Sequence, residues 1–511
     1  MNNKILIFSM ILMAILSASA VSANDNVIGT FEVEDSIITN ESQINEIDDS
    51  IIENTNSTST NEDMAISEIS SSDVVGYTSF SSTITGILTS NGTPLSSKNV
   101  KIVLNGVTYN KITDSNGKVS LNVKLAEGSY TAQFFHDGDN LTSNAVATSK
   151  LMVMDLIKTK LKLGDKDINY RQGSKCLFYV KLVDSNGNAI GNQWVTFNVD
   201  GKNYTVKTNA YGNAKIYLKL KKGKYKVKYS FKTSFPYLSS SGSYKIDVKN
   251  KMPKGNGYWL WSSHMKKVNL KRLSGKGTKH IFLHVHAIYQ HGKPSVVSFI
   301  KKAHKYGIKV HLWMQVCYNN GKWVRPVNKD GSLKYWFLNK KVKEAKKYAK
   351  IKGVDGIHFD YMRFGGTAHL YKTSTKAINY FVKKASVSVH KVKSKCIVSG
   401  AIMPEPGMME YYYGQDVPKI SRYLDALLPM VYKGNYGQDT SWITSVTRTF
   451  VDQSNGAQVW CGLQSYHSDS NAIKLSHKAL LKDAKAAKNG GANGIVLFRF
   501  GISCNFNFNK V

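Results

Sequence analysis

The chain has 511 residues, with 69 Lys and Arg against 35 Asp and Glu, a formal net charge of +34. That length exceeds one domain and points to about three. Five cysteines, Cys176, Cys317, Cys396, Cys461 and Cys504, with no CxxC spacing, exclude a disulfide framework and a zinc-finger module.

The N-terminus carries Lys4, an apolar run from Ile5 to Ala18, and Val21-Ser22-Ala23. This is the pattern of a secretory signal over residues 1–23, cleaved ahead of Asn24. The run is short for a membrane span, so no transmembrane anchor is expected after cleavage. The expected location is secreted or extracellular, associated with the cell surface. Residues 24–75 hold thirteen Asp and Glu, no Lys or Arg, and many Ser, Thr and Asn. They carry too little apolar surface to offset ordering entropy and predict a disordered acidic linker. From Gly76 onward 68 basic residues face 22 acidic ones, a net of +46. A field of that sign concentrates anionic polymers, including wall polysaccharide. No nucleic-acid motif accompanies it, so no specific nucleic-acid partner is expected.

An internal repeat organises the middle of the chain. Ser90-Asn91-Gly92 recurs as Ser185-Asn186-Gly187, Gly106 as Gly201, Gly117 as Gly212, Gly128 as Gly223 and Tyr130 as Tyr225, each 95 residues on. Short alternating runs lie between the glycines, and Asn105-Gly106 and Asp200-Gly201 are hairpin turn signals. The spacing predicts two β-sandwiches, over 76–155 and 156–250. This stretch resembles the immunoglobulin-like modules of prokaryotic adhesin-like surface proteins. The resemblance implies a spacer that holds the next domain away from the surface, or a module that binds wall or glycan.

From Met252 strands alternate with helical patterns. Tyr258–Trp261, Ile281–His286, Val310–Val316, Val354–Asp360, Ile397–Met403, Leu424–Val431, Gln458–Leu463 and Gly494–Phe498 read as eight strands. Helices are expected between them, among them Asn339–Lys352, Thr373–Val392, Ser441–Val451 and Asn471–Asn489. Residues 252–511 therefore predict a (β/α)8 barrel, whose chemistry belongs at the C-terminal strand ends. Those ends carry Trp261, His264, His284, His286, Gln315, Asp360, Arg363, Glu405, Tyr432, Gln464, Tyr466 and Arg499.

In the fourth strand His358 and Asp360 alternate with Ile357 and Phe359, so the two share one side of the backbone. A lone Asp there also serves as a cap or as a partner of Arg363. Asp360 and Glu405, on neighbouring strands, are the types and spacing glycosidic cleavage needs: one carboxyl protonates the leaving oxygen, the other attacks or activates water. Glu410 is the alternative to Glu405. Trp261, His284, His286, Gln315, His358, Tyr361, Arg363, Tyr432, Gln464 and Arg499 are the expected sugar contacts, since rings offer apolar faces and hydroxyl edges. No cofactor and no metal are expected, and the protein is expected to act as a monomer on a polysaccharide.

The run Asp355-Gly356-Ile357-His358-Phe359-Asp360-Tyr361-Met362-Arg363-Phe364 resembles the DGIHxDYxRY signature of glycoside hydrolases with an alpha-amylase-like barrel. Gly400–Glu405 and Leu428–Tyr432 resemble the fifth and sixth strand ends of that family. The resemblance covers about Gly255 to Gly501. It implies a nucleophile at Asp360 and an acid/base at Glu405. Three departures stand out. Gly365 occupies a position where Pro is common, His358 stands where amylases carry Arg, and no Asp sits at the seventh strand end, Asp469 being several residues late. A non-catalytic carbohydrate-binding or adhesin-like protein is the alternative. His284-Val285-His286 also reads as a metal pair of an amidohydrolase, without the later ligands such a site needs.

Overall fold

Paired left-handed turns open the N-terminal half. The computed structural model describes residues 64–319 and 321–511, so the expected signal segment and most of the expected acidic linker lie outside it. Asn105 and Gly106 both have positive φ (52° and 76°), as do Asp200 and Gly201 (52° and 83°). They close the hairpins Asn99–Leu104/Val107–Ile112 and Trp194–Val199/Lys202–Lys207.

Around the first hairpin two sheets form. One runs Val74–Tyr77, Ala145–Met154, Gly128–His136, Asn99–Leu104, Val107–Ile112; the other is built on Ser82–Ser90. They share a core that includes Ile84, Ile102, Phe134 and Leu151. The second hairpin belongs to a four-stranded sheet that faces a three-stranded one across Phe178, Phe197, Val227 and Ile246. The 95-residue repeat extends to side-chain contacts: Tyr130 Oη donates to Ala126 O at 3.1 Å, and Tyr225 Oη to Lys221 O at 3.0 Å.

Strands begin earlier than the sequence suggests. Ser67–Ser71 falls inside the stretch expected to be linker up to Val75, and Val74–Tyr77 begins inside it. Their polar residues are paid for by pairing: Ser67–Ser71 lies antiparallel to Ser82–Ser90, and Ile69 packs on the core. Composition alone hides such an edge strand.

The C-terminal region is a closed eight-stranded parallel barrel. Its strands are β1 (Gly257–Leu260), β2 (His280–His284), β3 (Lys309–Gln315), β4 (Gly356–Asp360), β5 (Ile397–Ile402), β6 (Ala426–Val431), β7 (Gln458–Gln464) and β8 (Gly494–Phe498). The helices between them include Lys293–Lys305, Tyr335–Ala349, Ser374–Val392, Thr440–Gln453 and His477–Asn489. Among the described residues no helix is long and apolar enough to cross a membrane.

Outward strand residues such as Tyr258, Leu312, Ile357 and Leu427 pack with the helices. The barrel interior is filled instead by Trp259, Phe282, Trp313, Leu428, Trp460 and Val496. Two of the three indoles fit because a glycine stands against each: a Cβ on Gly462 would lie 2.9 Å from Trp259 Cη2, and one on Gly255 would lie 2.0 Å from Trp460 Cδ2. All five cysteines are free. Only Cys461 lies within a barrel strand; Cys317 and Cys396 flank β3 and β5.

The second sandwich is fastened to the barrel end opposite the C-terminal mouth. Asp425, just before β6, accepts at Oδ1 from Asn169 Nδ2 and from Arg171 Nε at 2.6 Å. At Oδ2 it accepts from Val398 N at 2.8 Å and contacts His390 Nε2 at 3.1 Å. Burial pushes this carboxyl up, but His390 and Arg171 outweigh that and hold it well below the usual range. Asp165 adds ion pairs to Lys419 (2.6 Å) and Arg422.

Candidate active site

The site grows from the inward face of β4. Gly356, His358 and Asp360 alternate into the barrel, while Ile357 and Phe359 pack outward. His358 lies one layer below Asp360 and is fully buried. Its Nε2 accepts from Trp259 Nε1 at 3.1 Å, and its Nδ1 lies 3.0 Å from Ser399 Oγ. Burial pushes it down to about 3, so it is a neutral packing residue. The expected sugar contact at His358 is therefore corrected: strand periodicity gives the side but not the depth.

Asp360 occupies the top layer and keeps 8% of its surface exposed. Its Oδ2 accepts from Trp313 Nε1 at 3.0 Å and its Oδ1 from the Tyr361 N–H at 2.7 Å. Burial raises its pKa above the ordinary Asp value, against the opposing pull of those two donors and of Arg363. Arg363 is the cation that acts on Asp360; Arg499 sits half-buried nearer His264 and Tyr466.

Tyr361, with φ of +49°, turns the chain out of the strand. Its ring stacks on Tyr318 at 4.7 Å, and burial pushes its phenol up to about 12. Arg363 lies over Trp323 (4.8 Å), Tyr413 (5.4 Å) and Tyr361 (5.5 Å). Trp323 and Tyr318 come from a small hairpin, Tyr318–Asn319 with Lys322–Trp323, too short for any periodicity to mark in the sequence. Trp323 and Phe364 also line an adjoining cavity of about 240 Å³.

Glu405 stands on the loop after β5, half-buried. Tyr413 Oη donates to its Oε2 at 2.6 Å and Tyr436 Oη to its Oε1 at 2.8 Å. Arg363 lies over the Tyr413 ring as well as the Tyr361 ring, and so stands between the Asp360 and Glu405 neighbourhoods. Glu410 lies in the turn Met409–Tyr413, exposed, beside Asp416 and Thr375. Two of the carboxylate's partners, Tyr413 and Tyr436, went unmarked in the sequence; the run Tyr411-Tyr412-Tyr413 was the available signal.

The remaining expected contacts divide. Trp261, His284 and Trp313 form one aromatic wall, with the Trp261 ring 4.8 Å from each of the other two. His284 Nε2 is buried without a protein partner, and burial pushes this imidazole down to about 4. Gln315 pairs in register with Asp360, half-buried. Tyr432 stacks on Phe498 at 5.5 Å. The strand bound at His286 is corrected: β2 ends at His284, and His286 starts the short helix His286–His291, exposed just beyond the strand end. The two imidazoles thus do not share a strand side, and among the described residues no three His, Cys, Asp or Glu form a metal-holding group.

Asp469 is drawn back to the seventh strand end. Its Oδ1 accepts from Tyr466 Oη at 2.7 Å and from Gln464 Nε2 at 3.5 Å, and its Oδ2 from Asn435 Nδ2 at 2.8 Å. Burial raises the Tyr432 phenol well above its usual range, and the charges of Asp360 and Asp469 add to that. Distance in sequence concealed a third carboxylate at the mouth.

Residues 301–468 match the model of a family described as "Putative glycosyl hydrolase domain". That span holds Asp360 and Glu405 and covers about a third of the chain. No curated protein matches the sequence. Among solved structures the chain is similar to Bacteroides uniformis beta-glucuronidase 2 (10% identity, 79% of this chain and 56% of that chain, TM-score 0.34). It is similar also to the spore cortex-lytic enzyme SleL of Bacillus megaterium (14%, 51% and 74%, TM-score 0.35) and to an exo-beta-1,4-mannosidase from an Opitutaceae bacterium (10%, 49% and 52%, TM-score 0.36). The match spans little more than half of the glucuronidase and mannosidase chains. At those scores the likenesses assign neither substrate nor residues; the family match marks a glycosyl-hydrolase-like domain in the barrel.

Proposed function

We propose that the chain is a glycoside hydrolase that cleaves a polysaccharide outside the cell. Asp360 attacks the anomeric carbon as the Glu405 carboxyl protonates the departing glycosidic oxygen. Glu405, then ionised, takes a proton from water, which displaces Asp360 and regenerates both groups. Trp313 and the Tyr361 N–H hold the attacking carboxylate in one orientation, and Tyr413 and Tyr436 hold Glu405. Asp469, tethered by Gln464, Tyr466 and Asn435, orients sugar hydroxyls at the far rim. Trp261, backed by His284 and Trp313, and the Tyr318–Tyr361–Trp323 group are the stacking surfaces for sugar rings.

The observation that carries the reading is Arg363 lying over both Tyr361, whose N–H holds Asp360, and Tyr413, whose hydroxyl holds Glu405. The basic surface favours an anionic or wall-associated glycan. The signal-like N-terminus supports secretion to the cell surface, where two immunoglobulin-like modules space the barrel from its attachment. Incubation of the purified chain with wall, acidic and neutral polysaccharides, followed by mass spectrometry, tests this. Release of defined oligosaccharides supports it; intact polymer with every substrate counts against it.

A further inference from the structure

The two repeats share strand order but not surface chemistry. In the second, the sheet Lys202–Lys207, Trp194–Val199, Gly223–Phe231, Ser240–Val248 turns its outer face to solvent. Register places side chains there in rows. Thr205, Thr196, Ser230 and Ser241 form one row, and Asn203, Asn198, Lys228 and Ser243 the next. Lys226 stands directly opposite Lys245, and Lys224 opposite Asp247. A cavity of about 540 Å³ lies over these rows, lined among others by Asn198, Lys226, Lys228 and Ser243.

Like charges directly opposite on a sheet oppose folding. Among the described residues, neither Lys226 nor Lys245 makes an ion pair, nor do Lys224 and Lys228. The fold does not require this arrangement, because the first repeat supplies an internal control. Ninety-five residues earlier, Ser129, Thr131 and Gln133 hold the places of Lys224, Lys226 and Lys228 on the same strand in the same sheet order. Lys245 has Lys150 at its place, opposite Thr131, so it is the three lysines of Gly223–Phe231 that were added to a sheet that forms without them.

We infer that this face is a second carbohydrate-binding site, separate from the barrel mouth, that takes an acidic polysaccharide. The ammonium groups of Lys224, Lys226, Lys228 and Lys245 meet carboxylates along the polymer. The neighbouring hydroxyl and amide rows, including the Asn198–Asn203 pair (2.7 Å), meet its hydroxyls. A single-stranded nucleic acid fits less well: base stacking needs aromatic platforms, and only Trp194 stands at the edge, already under Lys207. The site goes beyond hydrolysis by the barrel and does not depend on it.

The test is salt-dependent binding of the full chain to polygalacturonate, to neutral dextran and to single-stranded DNA. The variants are Lys224→Ser/Lys226→Thr/Lys228→Gln, which copies the first repeat, and Asn198→Val, which copies Val103. The triple variant is expected to lose about tenfold or more in polygalacturonate affinity and to flatten its salt dependence. Asn198→Val is expected to weaken binding with the salt slope unchanged. Hydrolysis of short oligosaccharides by the barrel should be unaffected in both, so failure here and failure of the barrel assignment are read separately. Polygalacturonate affinity unchanged in both variants would overturn the inference. So would DNA binding as tight as that of polygalacturonate, which would mark a general polyanion surface.

Discussion

The Trp313 indole N–H donates to Asp360 Oδ2 at 3.0 Å across adjacent strands, from a position in register with His358, two residue pairs below Asp360. That donor and the Arg363 charge both favour the carboxylate, while burial favours the acid and prevails. Attack requires the ionised form, so kcat/KM should fall as pH drops through a value above the ordinary Asp range. Trp313→Phe and Arg363→Gln each remove a group that lowers this pKa. Both should move the acidic limb to higher pH, measured as pH–rate profiles; an unmoved limb in both would assign it to another group.

Tyr413 and Tyr436 address the two oxygens of Glu405 separately. Replacing either by Phe removes one donor and leaves ring packing. Each single variant should lose about tenfold or more in kcat, and the pair more than either, with thermal midpoints close to wild type. Steady-state kinetics and thermal melts check this.

Much of the barrel was legible because parallel strands buried on both faces read as unbroken apolar runs. Gly494–Phe498 matches its expected bounds, and Ser374–Val392 falls one residue inside them. The glycine-spaced repeat was equally plain, since Asn105-Gly106 and Asp200-Gly201 signal their turns directly. What stayed hidden depended on depth or on return of the chain. His358 and Asp360 share a face, yet one is sealed and the other opens to the mouth. His286 read as strand because nothing apolar marks where β2 stops. Tyr436 and Asp469 reach the mouth from loops whose path no periodicity encodes.

Asp425 collects donors from both the second sandwich and the barrel, with Arg171 at its side nearly sealed from solvent. Asp425→Asn leaves that guanidinium buried without its counter-charge and should cost about 3–5 kcal/mol. The folded pKa is depressed, so the unfolded chain binds more protons as pH falls. The contribution is full above the unfolded pKa of about 4 and is lost progressively below it. Urea unfolding of both proteins at several pH values should show the gap narrowing in acid.

Gly356 passes beneath His311, and a Cβ there would also lie 2.7 Å from Ile397 O. Gly356→Ala should destabilise the barrel by about 3 kcal/mol, since backbone must move to admit it. Chemical denaturation measures it; a cost within error of zero would contradict the packing described.

The most direct test is the rate at which Asp360→Asn releases reducing ends from a polysaccharide the unaltered chain cleaves, with binding of that polymer measured alongside. The expected result is a fall of about a thousandfold or more with binding retained. Full-rate cleavage by the variant would contradict the assignment of Asp360 as nucleophile.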